Sequence, residues 1–149
     1  MKVAGQFTFS NVTPETVWDW LTDPDHISEC LPGCEGLDEI EKNRYRMNMR
    51  VGIGSIRSSY TGTIHIHDLN PHQEYSLKVT GKGGGGFVEG TGTIQLEPDQ
   101  ADTQVSYTGN IAIGGRIASV GQRMVSGAAR MVIEQFFKCV ASKLEKAAS

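Results

Sequence analysis

The sequence predicts an α+β fold in which one curved antiparallel sheet, seven-stranded in all, closes around a long C-terminal helix. Apolar residues recur with a period of two in a series of segments between residues 3 and 113, and from Gly115 the period changes to that of a helix. Glycine placement adds to this. The chain carries 18 glycines, and Gly62, Gly81, Gly90, Gly92 and Gly109 fall inside the alternating segments rather than between them. Glycine within a strand marks a bulge, a sharp bend or a close backbone approach, and a strongly curved sheet uses it in that way.

The elements follow in order. Residues 3–9 alternate Val3, Gly5, Phe7 and Phe9 against Ala4, Gln6 and Thr8, the pattern of a half-buried strand. Thr13 is placed to cap a helix with Pro14 in its first turn, and residues 14–21 then bury Val17, Trp18 and Leu21. Thr22-Asp23-Pro24 restarts a second short helix by the same device, and Leu31-Pro32-Gly33-Cys34 ends it. Alternation next delimits strands at residues 44–53, 56–69, 75–81, 88–96 and 105–113, with Gly52-Ile53-Gly54-Ser55 and Asn70-Pro71-His72 as turns. Each strand has one apolar and one polar side, as in an antiparallel sheet with one wet face.

The expected order is therefore one strand, two short helices, six strands and one helix over residues 115–146 lying on the concave side of the sheet. On that helix Ile117, Gly121, Met124, Ala128, Met131, Val132 and Cys139 share one broad face, which is assigned to the sheet. A second stripe, Ile133, Phe137, Val140 and Leu144, lies roughly opposite. It is either packed by the two short helices or exposed as a surface for a partner or membrane.

Composition narrows the function classes. The 149 residues are expected to form one domain, 1–149. A formal net charge of −3 with scattered basic residues argues against nucleic acid and against bulk attraction to anionic lipid. An odd count of three cysteines and no apolar signal core at the N-terminus predict a reduced, cytoplasmic protein. No apolar run approaches the ~20 residues of a membrane span, so membrane contact is expected to be peripheral at most.

The candidate chemistry points to binding. Gly81, Gly83 and Gly86 satisfy the spacing G-x-G-x-x-G, but residues 87–96 continue as a strand, whereas a dinucleotide site needs a helix there. The glycine run is read as a hairpin, with Gly83, Gly84, Gly85 and Phe87 as a gate to a cavity. His65 and His67 point the same way, opposite Ile64 and Ile66, and are read as solvated rather than as metal ligands. Cys30, Cys34 and Cys139 lack the further ligands of a zinc site and are read as buried structural residues. No histidine or carboxylate falls on the inner faces, so no catalytic residue, metal or cofactor is assigned.

Inward polar groups are Ser58, Tyr60 and Tyr107. Each hydroxyl can bond a ligand or a buried partner, and a tyrosine can also serve as an acid in a cyclase-like pocket. Met47, Met49, Met124 and Met131 are placed inward, where flexible methionine fills gaps or adapts to ligands. Small residues at Gly62, Gly109, Gly121 and Ala128 suggest unfilled space. The expected cavity is bordered by Met47, Met49, Ser58, Tyr60, Tyr107, Met124, Ala128 and Met131, and suits a quinone, an isoprenoid or a fatty acyl chain.

Four motifs occur in order along the chain: Gly5-Gln6-Phe7, Leu31-Pro32-Gly33-Cys34, Gly81-Lys82-Gly83-Gly84-Gly85-Gly86-Phe87 and Gln135-Phe136-Phe137. With them the chain resembles the START-like (SRPBCC) superfamily of helix-grip proteins and, within it, the CoxG family of carbon monoxide dehydrogenase proteins. The resemblance implies an accessory role beside a CO dehydrogenase-type molybdenum enzyme, in maturation, membrane recruitment or exchange of electrons with membrane quinone. Members often carry a C-terminal extension that reaches the membrane. This sequence stops at Ser149, just after the helix, so such a tether is not expected. The family motifs bring no catalytic residues. The expected function is non-enzymatic binding of a quinone- or lipid-like molecule between sheet and helix. The alternatives are a START-like aromatase, cyclase or hydrolase acting on a polyketide-like substrate, and an assembly or maturation factor with a filled core and no ligand.

Overall fold

A computed structural model describes residues 1–53 and 55–148, the side chain of Ala148 excepted. Strand β1 (Lys2–Phe9) leads into helices α1 (Pro14–Thr22) and α2 (Pro24–Cys30). Strands β2 (Cys34–Glu41), β3 (Arg44–Ile53), β4 (Ile56–Asn70), β5 (Glu74–Gly83), β6 (Gly86–Asp99) and β7 (Asp102–Gly114) follow. A 3₁₀ turn, Arg116–Val120, then precedes helix α3 (Gln122–Ala148). All seven strands form one antiparallel sheet in the order β1-β7-β6-β5-β4-β3-β2. This is the curved sheet and terminal helix that the change of period predicts.

Local chemistry sets the short helices. The Thr13 hydroxyl accepts from the Thr16 N–H at 3.3 Å, and the Asp23 carboxylate accepts from the Asp25 N–H at 2.8 Å. Each satisfies an amide that the first turn of a helix leaves unpaired. Proline follows each cap, where its missing N–H costs nothing.

Curvature comes from glycines that face one another across strands. Gly62 pairs with Gly81, and Gly92 with Gly109. A Cβ on Gly62 would run into the Thr80 carbonyl, and one on Gly109 would stand 2.7 Å from the Thr91 carbonyl. Neighbouring backbone comes too close there for any side chain, so these glycines make a bend rather than leave a space. Gly33 has a different reason. Its φ is +81°, its carbonyl accepts the Arg50 N–H at 2.9 Å, and a Cβ would collide with the Arg50 carbonyl. The Leu31-Pro32-Gly33-Cys34 motif therefore pins the entry to β2 onto β3.

Four expectations need correction. The helix does not run unbroken over residues 115–146: Gly115 and Gly121 take positive φ of 83° and 93°, and a separate 3₁₀ turn lies between them. Strand β2 has no limits in the sequence pattern, because irregularities between Cys34 and Gly36 and between Glu39 and Glu41 shift its parity and break the period of two. The face of α3 assigned to the sheet is the wrong one. Met124 and Met131 are 48% and 59% exposed, whereas Phe137, Val140 and Leu144 are buried in the main core. The helix carries two apolar stripes, and periodicity alone does not say which one faces inward. Finally, Cys139 is not remote from Cys30. The two form a disulfide with Cα atoms 5.4 Å apart, leaving Cys34 as the free thiol, so the expectation of three reduced cysteines does not hold.

Candidate ligand cavity

The sheet and α3 meet in two ways. Towards the C-terminal half of α3 the interface is solid. Phe137 is 1% exposed and packs against Phe7 and Phe9 at ring-centroid distances of 5.6 and 6.0 Å. Val17, Leu21, Val140 and Leu144 complete this region, and the Cys30–Cys139 bridge ties α2 to α3 beside it. Trp18 packs edge-on against Tyr75 at 5.3 Å.

Towards the N-terminal half of α3 the interface is hollow. A cavity of about 370 Å³, open to solvent, lies between the concave sheet and the helix. Met47 and Met49 of β3, Val79 of β5, Tyr107 of β7 and Ala128 and Val132 of α3 are among its walls. Its size falls within the usual range for small-molecule sites. No carboxylate, imidazole, ammonium or guanidinium lines it among the described residues. The hydroxyls in the wall belong mainly to Tyr75 and Tyr107. Burial raises the pKa of both, and at Tyr107 the nearby Arg130 offsets part of that rise while Glu134 adds to it. Both phenols therefore stay protonated at neutral pH and can donate a hydrogen bond, for example to a ligand carbonyl. The Tyr107 ring lies across Gly5, where a Cβ would be only 2.5 Å from its hydroxyl, which explains the small residue in Gly5-Gln6-Phe7.

The expected cavity residues divide. Met47, Met49, Tyr107 and Ala128 line the hollow. Met124 and Met131 do not, because they stand on the solvent side of α3. Ser58 and Tyr60 turn instead to the glycine hairpin: the Gly85 N–H donates to Ser58 Oγ at 2.9 Å, and the Tyr60 phenol occupies the space that a Gly85 side chain would need. The Gly85 carbonyl accepts the Ile117 N–H at 2.9 Å, so the hairpin is tied to both β4 and the 3₁₀ turn. Phe87 cannot act as part of a gate to this cavity from where it lies. It pairs with Lys82 and Gly114 on the convex face, is 43% exposed, and its ring covers Gly114, whereas the neighbouring Val88 points inward.

His65 and His67 sit on the convex face, with Nδ1 of His65 3.4 Å from an Arg44 guanidinium nitrogen and Nδ1 of His67 2.9 Å from Asp68. Among the described residues no three His, Cys, Asp or Glu side chains converge as a metal site would require. No described helix is long and apolar enough to cross a membrane.

Sequence reasoning missed Val125, Ala129 and Phe136, which line the cavity from α3. The signal that finds them is the second stripe: Ile133 and Phe137 fix the inward direction, and 125, 129, 132 and 136 lie on the same side at steps of three and four.

A hollow between a strongly curved antiparallel sheet and a terminal helix is the helix-grip arrangement, and structure comparison places the chain in the START superfamily. It is similar to a conserved protein from Geobacillus kaustophilus, at 35% identity and a TM-score of 0.93 over 99% of this chain and 97% of that one. It shares its fold with the Zhui aromatase/cyclase from Streptomyces sp. R1128, at 14% identity and a TM-score of 0.73 over 100% and 96% of the two chains. A START superfamily protein from Mycobacterium smegmatis aligns equally well, at 12% identity and a TM-score of 0.73 over 98% of each chain. The model of the carbon monoxide dehydrogenase CoxG family matches residues 5–145, and the chain belongs to that family. No curated protein matches it.

Proposed function

We propose that this protein binds a hydrophobic small molecule, quinone- or lipid-like, in the cavity between the sheet and α3. In this reading it is a non-enzymatic accessory protein that couples a CO dehydrogenase-type molybdenum enzyme to that molecule. The observation that carries the reading is the character of the hollow: about 370 Å³, open, and lined by aliphatic, aromatic and methionine side chains. Such a surface gains by excluding water around an apolar ligand. The phenols of Tyr75 and Tyr107 supply donors suited to a carbonyl oxygen. Acid–base catalysis needs a proton acceptor near the reacting atom, and the described walls offer no carboxylate or imidazole for it. Membership of the CoxG family supports the choice of enzyme partner.

The test is native mass spectrometry of the purified protein, with organic extraction of whatever is bound. The reading expects one apolar molecule per chain, released into the solvent phase and replaceable by an added long-chain naphthoquinone. Protein that carries nothing and takes up no quinone would refute it and favour an assembly factor that holds no ligand.

A further inference from the structure

We propose that a second, polar hollow, between Arg50 and Arg57, is a binding site for a phosphate-type oxyanion. This hollow, of about 750 Å³, lies at the β3–β4 hairpin and is bordered also by Gly52, Ser58, Ser59 and Gly84. Arg57 stands opposite Gly52 and Arg50 opposite Ser59, so the two arginines share one face of adjacent strands, offset by two residues. Gly52 leaves room for Arg57 to lie across it; a Cβ there would be 3.4 Å from Arg57 Cγ. Both arginines are exposed, and neither enters an ion pair among the described residues. Like charges at neighbouring positions of a sheet repel. An anion between them would remove that repulsion, and guanidinium groups match tetrahedral oxyanions in a bidentate manner.

The surroundings are biased the same way. Residues 42–67 and 104–133 contain no Asp or Glu, and residues 75–96 contain only Glu89. Lys82, Arg116, Arg123 and Arg130 are exposed on the elements at this end of the molecule. Residues 14–41, at and beside the helical end, hold nine of the 17 acidic residues. A chain of net charge −3 thus turns a cationic end outward where the cavity opens. The backbone of the site is held in place: the Gly33 carbonyl accepts the Arg50 N–H, and Ser58 Oγ accepts the Gly85 N–H. Val51 borders both the polar hollow and the apolar cavity, so the two share a wall. The oxyanion is either free phosphate or the head group of an amphiphile, and the chemistry of recognition is the same for both.

The experiment titrates the protein with inorganic phosphate and with monomeric dodecyl phosphate at constant ionic strength, following backbone amide shifts of residues 50–59. The variants are Arg50→Gln/Arg57→Gln and, as a control on the same strand, Arg46→Gln. The expected result is saturable binding that the double variant weakens at least tenfold while Arg46→Gln changes it less than twofold. Dodecyl phosphate binding at least tenfold more tightly than phosphate assigns the site to an amphiphile head group; equal affinities assign it to the free anion. Binding of neither probe, or equal weakening by Arg46→Gln, would overturn the proposal. Uptake of a neutral naphthoquinone by the double variant reads the apolar cavity separately, so failure of the oxyanion site is distinguished from failure of the cavity reading.

Discussion

The two halves of α3 meet the same sheet and produce opposite results. The half beyond Ile133 presents Phe137, Val140 and Leu144, which interlock with Phe7, Phe9 and Leu21 into a core with members at 0–2% exposure. The half before it presents Val125, Ala128, Ala129 and Val132, opposite a stretch of sheet that includes Gly90 and Gly92. Small residues on both sides of the interface leave about 370 Å³ unfilled. One helix and one sheet thus build a foundation and a cavity by side-chain volume alone. The foundation, clipped by the Cys30–Cys139 bridge, holds the helix over the hollow. Close packing across the whole interface would add stability but would leave nowhere for a ligand.

Substitutions in the two halves should separate in size. Phe137→Ala removes a ring packed on four sides by Phe7, Phe9, Tyr107 and Phe136. It should cost about 3–5 kcal/mol, measured by urea unfolding, the usual loss for a large aromatic in a tight core. A cost below ~1 kcal/mol would show that this end is as loose as the other.

Breaking the clip comes next. Cys30 and Cys139 are 109 positions apart, and a bridge over so long a loop restricts the unfolded chain strongly. Cys30→Ala should lower stability by about 2–4 kcal/mol relative to oxidised wild type, and by little relative to reduced wild type. Thiol titration of unfolded, unreduced protein should find one free group, Cys34; three would remove the clip from this account.

The smallest effect is expected at Met124. It is 48% exposed on the outer side of α3, so Met124→Gln should change stability by no more than ~0.5 kcal/mol and leave ligand uptake intact. Loss of ligand in that variant would restore methionine 124 to the cavity wall.

These contrasts also mark how far the sequence can be read. The strands with clean alternation, both proline-started helices and the closure by a terminal helix are legible, because each rests on a local period or cap. Met47, Met49 and Tyr107 are legible as inward residues for the same reason: strand parity leaves only two faces. The α3 residues are not, because both stripes of that helix are apolar and only the partner surface decides between them. The Cys30–Cys139 bridge is hidden because it joins positions 109 residues apart that only the fold brings together. The basic residues look scattered in the chain, and hairpin geometry gathers Arg50, Arg57 and Lys82 at one end. Ser58 and Tyr60 have the inward parity of their strand, yet the glycine hairpin engages them.

The central claim is that the hollow half is a ligand cavity, and Ala128→Trp tests it most directly. Ala128 lines the cavity from α3, so an indole there would occupy the proposed ligand's place. Unfolding and naphthoquinone titration should be measured together on wild type and variant. The account predicts 1:1 binding to wild type, at least a tenfold loss in the variant, and a stability change under ~1 kcal/mol because the ring fills space that already exists. A variant destabilised by the ~1–3 kcal/mol typical of an overpacked core, in a protein whose wild type binds no quinone, would contradict it.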